Sequence, residues 1–260
     1  MKKTIGLALG SGGARGFCHI GVLEVLQQHN VPIHIVTGCS MGAIIGGSFA
    51  AGVSVDTMLH LASKISNHKV FDVDITRLRD GLARGNRVMS FYRKYVGEKL
   101  IEDCEIKFAT IATELTTAQL HTFNSGPIWK AVRASMSIPG AFHPVREGDK
   151  IFVDGGILKR MPISEARELG ADVVIAVDAI GPPREYTELG SAFKVVESAF
   201  GIMDWRAAQH EGKDADAFII PEMHAKSMMA FKNNEDAIQA GREATLRALP
   251  QIFKILGRRK

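Results

Sequence analysis

Ser40 stands in the pentapeptide GCSMG, between the apolar run VPIHIVT and the small-residue run AIIGGSFAAG. A serine between two glycines at a sharp strand-to-helix turn is forced outward, so its hydroxyl is expected above the sheet edge and at a helix N-terminus. The helix dipole there favours developing negative charge. This is the placement of a nucleophile, with Gly38 and Gly42 as the frame of its elbow. Cys39 is intrinsically the better nucleophile, but Ser40 holds the central position, and the thiol is expected to point away and pack.

Two further stretches carry chemistry. GSGGARG, residues 10–16, follows an apolar run and opens a helical one. Glycines there let the backbone approach a ligand closely and turn several N–H groups toward negative charge. A dinucleotide fingerprint needs an acidic residue about 20 positions on, at the end of the next strand, but that strand ends Ile35-Val36-Thr37-Gly38. A Walker A loop fails as well, because no Lys followed by Ser or Thr closes the glycines. An oxyanion hole and a plain tight turn remain. The other stretch is FVDGGILKRMP, in which Asp154 ends a strand and two glycines turn the chain sharply. A partly desolvated carboxylate there is suited to take the Ser40 proton as a general base. None of the nine histidines lies in a motif that recommends it as the base; His19, His29 and His34 read as structural or surface residues.

The elements that must hold these residues alternate between strand and helix. Strands are expected at residues 4–9, 32–37, 106–112, 119–123, 150–154, 173–177 and 217–220, and helices at about 17–28, 41–51, 128–136, 164–169, 192–209 and from 235 onward. This alternation predicts a single α/β domain over residues 1–260 with a mostly parallel sheet covered on both faces, whose ligands sit at the C-terminal ends of the strands. No repeat or linker divides the chain.

Composition narrows the function. Of 260 residues 46% are hydrophobic and 23% charged, and the net charge of +4 is too small for a protein that coats nucleic acid. Cys18, Cys39 and Cys104 are an odd number without metal-ligand spacing, which points to free thiols in a reducing, cytoplasmic setting. The opening MKKTIGLALGSGGARG has the charge of a secretory signal, but its apolar stretch is cut short at Gly10. No segment has the roughly 18 apolar residues of a membrane span, so any membrane contact is expected to be peripheral, at the inner face.

In their order and spacing GSGGARG, GCSMG and DGG resemble the patatin-like phospholipases, in particular the short bacterial members. The resemblance takes in GFCHIGVLEVL after the loop and ASMSIPGAFHPV ahead of the aspartate, and covers most of residues 4–180. It implies a three-layer α/β/α fold and a Ser-Asp dyad without histidine: Ser40 attacks an ester carbonyl, and Asp154 accepts and returns its proton. It also implies that the N–H groups of Gly12, Gly13 and Ala14 line the oxyanion hole, and that Arg15 anchors the loop or meets a substrate anion. No metal or organic cofactor is implied. The substrate is a phospholipid, a lysophospholipid or a simpler carboxyl ester. One departure stands out: several members carry an asparagine between the Asp-Gly-Gly and the next proline, where this chain reads Lys159-Arg160-Met161-Pro162. That change bears on substrate preference rather than on the dyad.

Two rivals are defined by residue. An α/β-hydrolase triad would run Ser40, Asp178 and His210 or His224, leaving Asp-Gly-Gly without a role. A lipid-binding or regulatory module would keep the motifs with little turnover. For reaching a lipid surface, residues 77–94 hold six basic side chains and one acid, interleaved with apolar residues, and suit anionic headgroups or a solvated helix face. Met228, Met229 and Phe231 are expected in an acyl pocket, a lid or the core.

Overall fold

The structure, a computed structural model, describes residues 3–70, 72, 83–182, 192–223, 228 and 230–257. Its described residues form one eight-stranded mixed sheet. Five strands run parallel in the order β3 (Lys107–Glu114), β2 (Ile35–Gly38), β1 (Ile5–Leu9), β7 (Val173–Val177), β8 (Ala217–Ile219). At the β3 end the sheet turns antiparallel, with β4 (Gln119–Phe123), β6 (Lys150–Asp154) and β5 (Val145–Glu147).

The central strands are continuous apolar runs because both faces are covered, and their residues sort by parity, as a period of two requires. Ile5, Leu7 and Leu9 of β1, with Val173, Ile175 and Val177 of β7, face the layer containing α1 (Cys18–Gln28), α2 (Met41–Ala50) and α9 (Asn234–Ile255). Ala8, Val174 and Ala176 face the other layer, with Ile163 and Ala166 of α7 (Ile163–Glu168) and Ala208 of α8 (Ala192–Glu211). The fold is a three-layer α/β/α sandwich. A third apolar cluster joins Phe152 of β6 to Ala134 of α6 (Ile128–Ser135) beneath the antiparallel strands.

Two helices occupy a region where the sequence patterns define no regular element: α3 (Val55–Lys64) and α5 (Asn86–Val96). The Ser54 hydroxyl caps α3 by accepting from the Thr57 N–H at 3.2 Å. Asp72 caps α5, its carboxylate accepting from the N–H groups of Gly85, Asn86 and Arg87. The short helix α4 (Asn67–Val70) lies between them in sequence. Among the described residues no helix is long and apolar enough to cross a membrane.

Candidate active site

The turn from β2 into α2 is tight enough to demand its glycines. A Cβ on Gly42 would stand 2.1 Å from the Leu9 carbonyl oxygen at the end of β1, and one on Gly38 would stand 2.5 Å from the Gly42 carbonyl oxygen. Between them Ser40 takes φ 55° and ψ −118°, a conformation rare for an L-residue. Its N–H donates to the Ser135 hydroxyl at 2.9 Å, and the Cys39 N–H donates to the Leu9 carbonyl at 3.0 Å, so both sides of the elbow are pinned. Ser40 is 3% exposed and forms part of the floor of a cavity rather than a projection from an open surface.

Strand register brings Asp154 to this serine. Thr110 of β3 lies between Gly38 of β2 and Phe123 of β4, and Ala112 lies between Asp154 of β6 and His121 of β4. β2 and β6 therefore share one edge of β3. One runs parallel to it and the other antiparallel, so their C-terminal ends meet across two residues, roughly 7 Å along the strand. The Asp154 carboxylate lies near the Ser40 hydroxyl, which favours its ionised form. Its Oδ1 accepts from the Gly156 N–H at 2.8 Å and from the Cys39 thiol at 3.7 Å. Burial pushes the carboxyl up to about 6, against the opposing pull of these donors. Cys39 is buried, as expected, but its thiol faces the carboxylate instead of purely apolar packing.

The glycine loop is pinned from below. Gly10 N–H donates to the Val177 carbonyl at 2.9 Å, and Ser11 N–H to the Arg160 carbonyl at 3.1 Å. The His19 Nε2–H donates to the Gly10 carbonyl at 2.8 Å; burial lowers this imidazole to about 4, so it is neutral. Arg15 is buried and donates to the Ile180 carbonyl at 2.8 Å. Ala14 N–H donates to the Met228 carbonyl at 2.7 Å. Gly13, at φ 52°, packs so closely under that carbonyl that a Cβ would lie 2.3 Å from its oxygen. Among the described residues the N–H groups of Gly12 and Gly13 have no backbone acceptor.

An apolar cavity opens onto Ser40 and Gly13. Its walls come from α2 through Ile44 and Ile45, from α3 through Met58 and Leu61, from α5 through Val88 and Phe91, and from Phe231. Val88, Phe91 and Tyr92 of the basic stretch thus turn inward over this cavity, while Arg87 and Lys94 are exposed. Arg93 pairs with Glu98 and lies 4.5 Å from the Trp129 ring centroid. Residues 77–82 of that stretch, and Met229, lie outside the described residues.

Of the rival triad's acid and histidines, Asp178 and His210 lie among the described residues. Asp178 is fully buried and accepts from Arg160 Nη1 at 2.8 and 3.0 Å. His210 is exposed near the end of α8, and His224 lies outside the described residues. Arg160 itself is a buried hub that also donates to Asp204, while Lys159 pairs with Glu165 at 2.8 Å. Sequence patterns did not single out Ser135 or the contact of Cys39 with Asp154. Cys39 had the signal of adjacency to the nucleophile; Ser135, inside ASMSIPG, had only its place in a shared block.

The chain is similar to several known proteins. The family model of patatin-like phospholipases matches residues 7–167. An NTE family protein of Mycobacterium tuberculosis is 36% identical over 216 residues, covering 80% of this chain and 60% of that protein. A lysophospholipase of Emericella nidulans is 33% identical over 180 residues, which are 68% of this chain and 12% of its own length. The chain thus spans less than two thirds of the first relative's length and about an eighth of the second's. In fold it is similar to VipD from Legionella pneumophila, with a TM-score of 0.59 at 15% identity over 96% of this chain and 67% of that one. It is also similar to human GIVD cytosolic phospholipase A2, with a TM-score of 0.53 at 9% identity over 98% of this chain and 60% of that one. With its match spanning more than half of its length, the chain belongs to the patatin-like phospholipase family.

Proposed function

We propose that the protein is a serine acyl hydrolase of lipid carboxyl esters, working through a Ser40–Asp154 dyad. The observation that carries this is the nearness of the Ser40 hydroxyl, which lines an apolar cavity, to a buried, weakly acidic carboxylate. Near neutral pH Asp154 is ionised yet basic enough to accept the serine proton as Ser40 Oγ attacks the ester carbonyl. Gly13 lines the same cavity, and its N–H group together with that of Gly12 serves the oxyanion; a missing donor of this type typically costs about 10²–10³ in rate. Asp154 then returns its proton to the leaving alcohol, and water attacks the acyl-enzyme with Asp154 again as base.

The cavity walls are suited to an acyl chain, which supports a phospholipid or lysophospholipid as substrate, and the name of the Emericella relative points the same way. Peripheral contact with a membrane belongs to the same proposal, with exposed Arg87 and Lys94 on α5 facing anionic headgroups. The test is labelling of Ser40 by a fluorophosphonate, followed by turnover on short- and long-chain esters. Ser40→Ala is expected to abolish labelling and to lower turnover by on the order of 10³-fold in a folded protein. Labelling without turnover supports the binding-module alternative, and full turnover by Ser40→Ala excludes this mechanism.

A further inference from the structure

Asp154 is held on two sides. Its carboxylate lies near the Ser40 hydroxyl, and Oδ1 accepts from the Gly156 N–H at 2.8 Å and the Cys39 thiol at 3.7 Å. The backbone of Cys39 is fixed by its N–H bond to Leu9, and its side chain has no exposure. The thiol therefore has little freedom to choose another partner. We propose that Cys39 is a positioning residue: its buried S–H donates to Asp154 Oδ1 and orients the carboxylate toward Ser40. This rests on the dyad reading above and adds a member to it.

The chemistry suits a thiol that stays protonated. Burial and the adjoining Asp154 carboxylate both push Cys39 well above its ordinary value, so it is a donor and not a second nucleophile. The other charged groups that bear on the pair come from α8: Asp204 disfavours charge on both groups, and Glu211 disfavours charge on Cys39. Gly156 N–H and the Ser40 hydroxyl act in the opposite sense, favouring the ionised carboxylate. Among donors to Asp154, Cys39 is the one that substitution can remove without touching the nucleophile or the backbone. A thiol is a weak donor, so its removal should raise the carboxyl by about half a pH unit, roughly threefold in the fraction of ionised base on the acid side.

The experiment measures kcat/KM on a soluble short-chain ester, and the rate of fluorophosphonate labelling of Ser40, from pH 5 to pH 9. Wild type, Cys39→Ala and Cys39→Ser are compared, with folding followed by thermal melts. The acid limb of both profiles is expected to move up by about half a unit in Cys39→Ala and to return toward wild type in Cys39→Ser, whose hydroxyl again donates. Should Cys39→Ala fold poorly, Cys39→Val fills the volume without a donor and is expected to show the same displaced limb. A melting temperature that falls while the limb stays in place assigns Cys39 to packing alone and overturns the proposal. So does a limb displaced equally in the Ala and Ser variants. A wild type that is not labelled at Ser40 overturns the dyad and this proposal together, whereas a labelled wild type with an immovable limb overturns this proposal only.

Discussion

Ser40 and Asp154 each hold a state that an isolated chain avoids. The serine conformation at φ 55° stores on the order of 1–3 kcal/mol, and the buried carboxyl titrates near 6 instead of 3.8. For an acid whose folded value lies above its unfolded one, the native state binds the extra proton between about pH 4 and pH 6, so stability falls as pH rises through that window. The displacement from 3.8 to about 6 corresponds to about 3 kcal/mol of stability lost by neutral pH. Asp154→Asn keeps the shape and removes the charge. It is expected to raise stability to urea by on the order of 1–3 kcal/mol at pH 8 and to converge with wild type below pH 4. The same substitution should lower ester hydrolysis about as far as Ser40→Ala, with the double variant hardly worse than either single one. An Asp154→Asn protein that is no more stable at pH 8, or two losses that multiply, would contradict a buried base acting as a unit with the serine. In wild type the base disappears as pH falls through about 6, so kcat/KM should decline on that side without an essential histidine.

At the scale of elements, part of the cavity wall is built from the two helices that sequence patterns left undefined. On α5 Val88, Phe91, Tyr92 and Tyr95 recur at the i, i+3, i+4, i+7 spacing of a helical stripe, but the basic residues among them suggest an outward, lipid-facing surface. The fold supplies the missing fact, an open cavity beneath the stripe. On α3 the buried positions Val55, Met58 and Ala62 and the Ser54 cap are likewise present in the sequence, yet without a chemical motif to draw attention to them. By contrast β1, β6 and β7 are legible almost to the residue, because uninterrupted apolar runs bounded by glycine or aspartate have few other uses. The antiparallel turn of the sheet beyond β3 is less so, since strand direction depends on connections and not on residue pattern. If α5 walls the acyl site, Val88→Trp should fill part of the cavity and lower the long-chain to short-chain ratio of kcat/KM by on the order of tenfold, leaving Ser40 labelling in place. An unchanged ratio in a folded variant would place the acyl chain elsewhere.

Over the whole molecule, the loop that carries Asp154 is tied to the back layer through buried charge. Arg160, six residues beyond the aspartate, has no exposed side-chain surface and donates from Nη1 to both oxygens of Asp178 after β7 and from Nε to Asp204 of α8 at 2.8 Å. Glu211, in the last turn of α8, accepts from the N–H groups of Arg160 and Met161 at 3.3 and 2.8 Å. Sequence marks Lys159-Arg160 only as a departure from the family pattern, because a buried role for arginine depends on acids 18 and 44 positions away. The basic pair therefore faces the interior and α7, and it ties down the chain that follows Asp154. Removing one partner of such a pair strands the other: Arg160→Met leaves the Asp178 carboxylate buried without its cation and is expected to destabilise by about 3–5 kcal/mol. Asp178→Asn in the same chain relieves that charge while its side-chain oxygen can still accept from the Ile180 and Gly181 N–H groups, as Asp178 does at 3.0 and 3.1 Å. The double variant should thus be more stable than Arg160→Met alone, giving a coupling of about 1–3 kcal/mol in a double-mutant cycle read by urea melts. Strictly additive losses would mean that the arginine acts by filling space, and that the two layers are held by their apolar contacts alone.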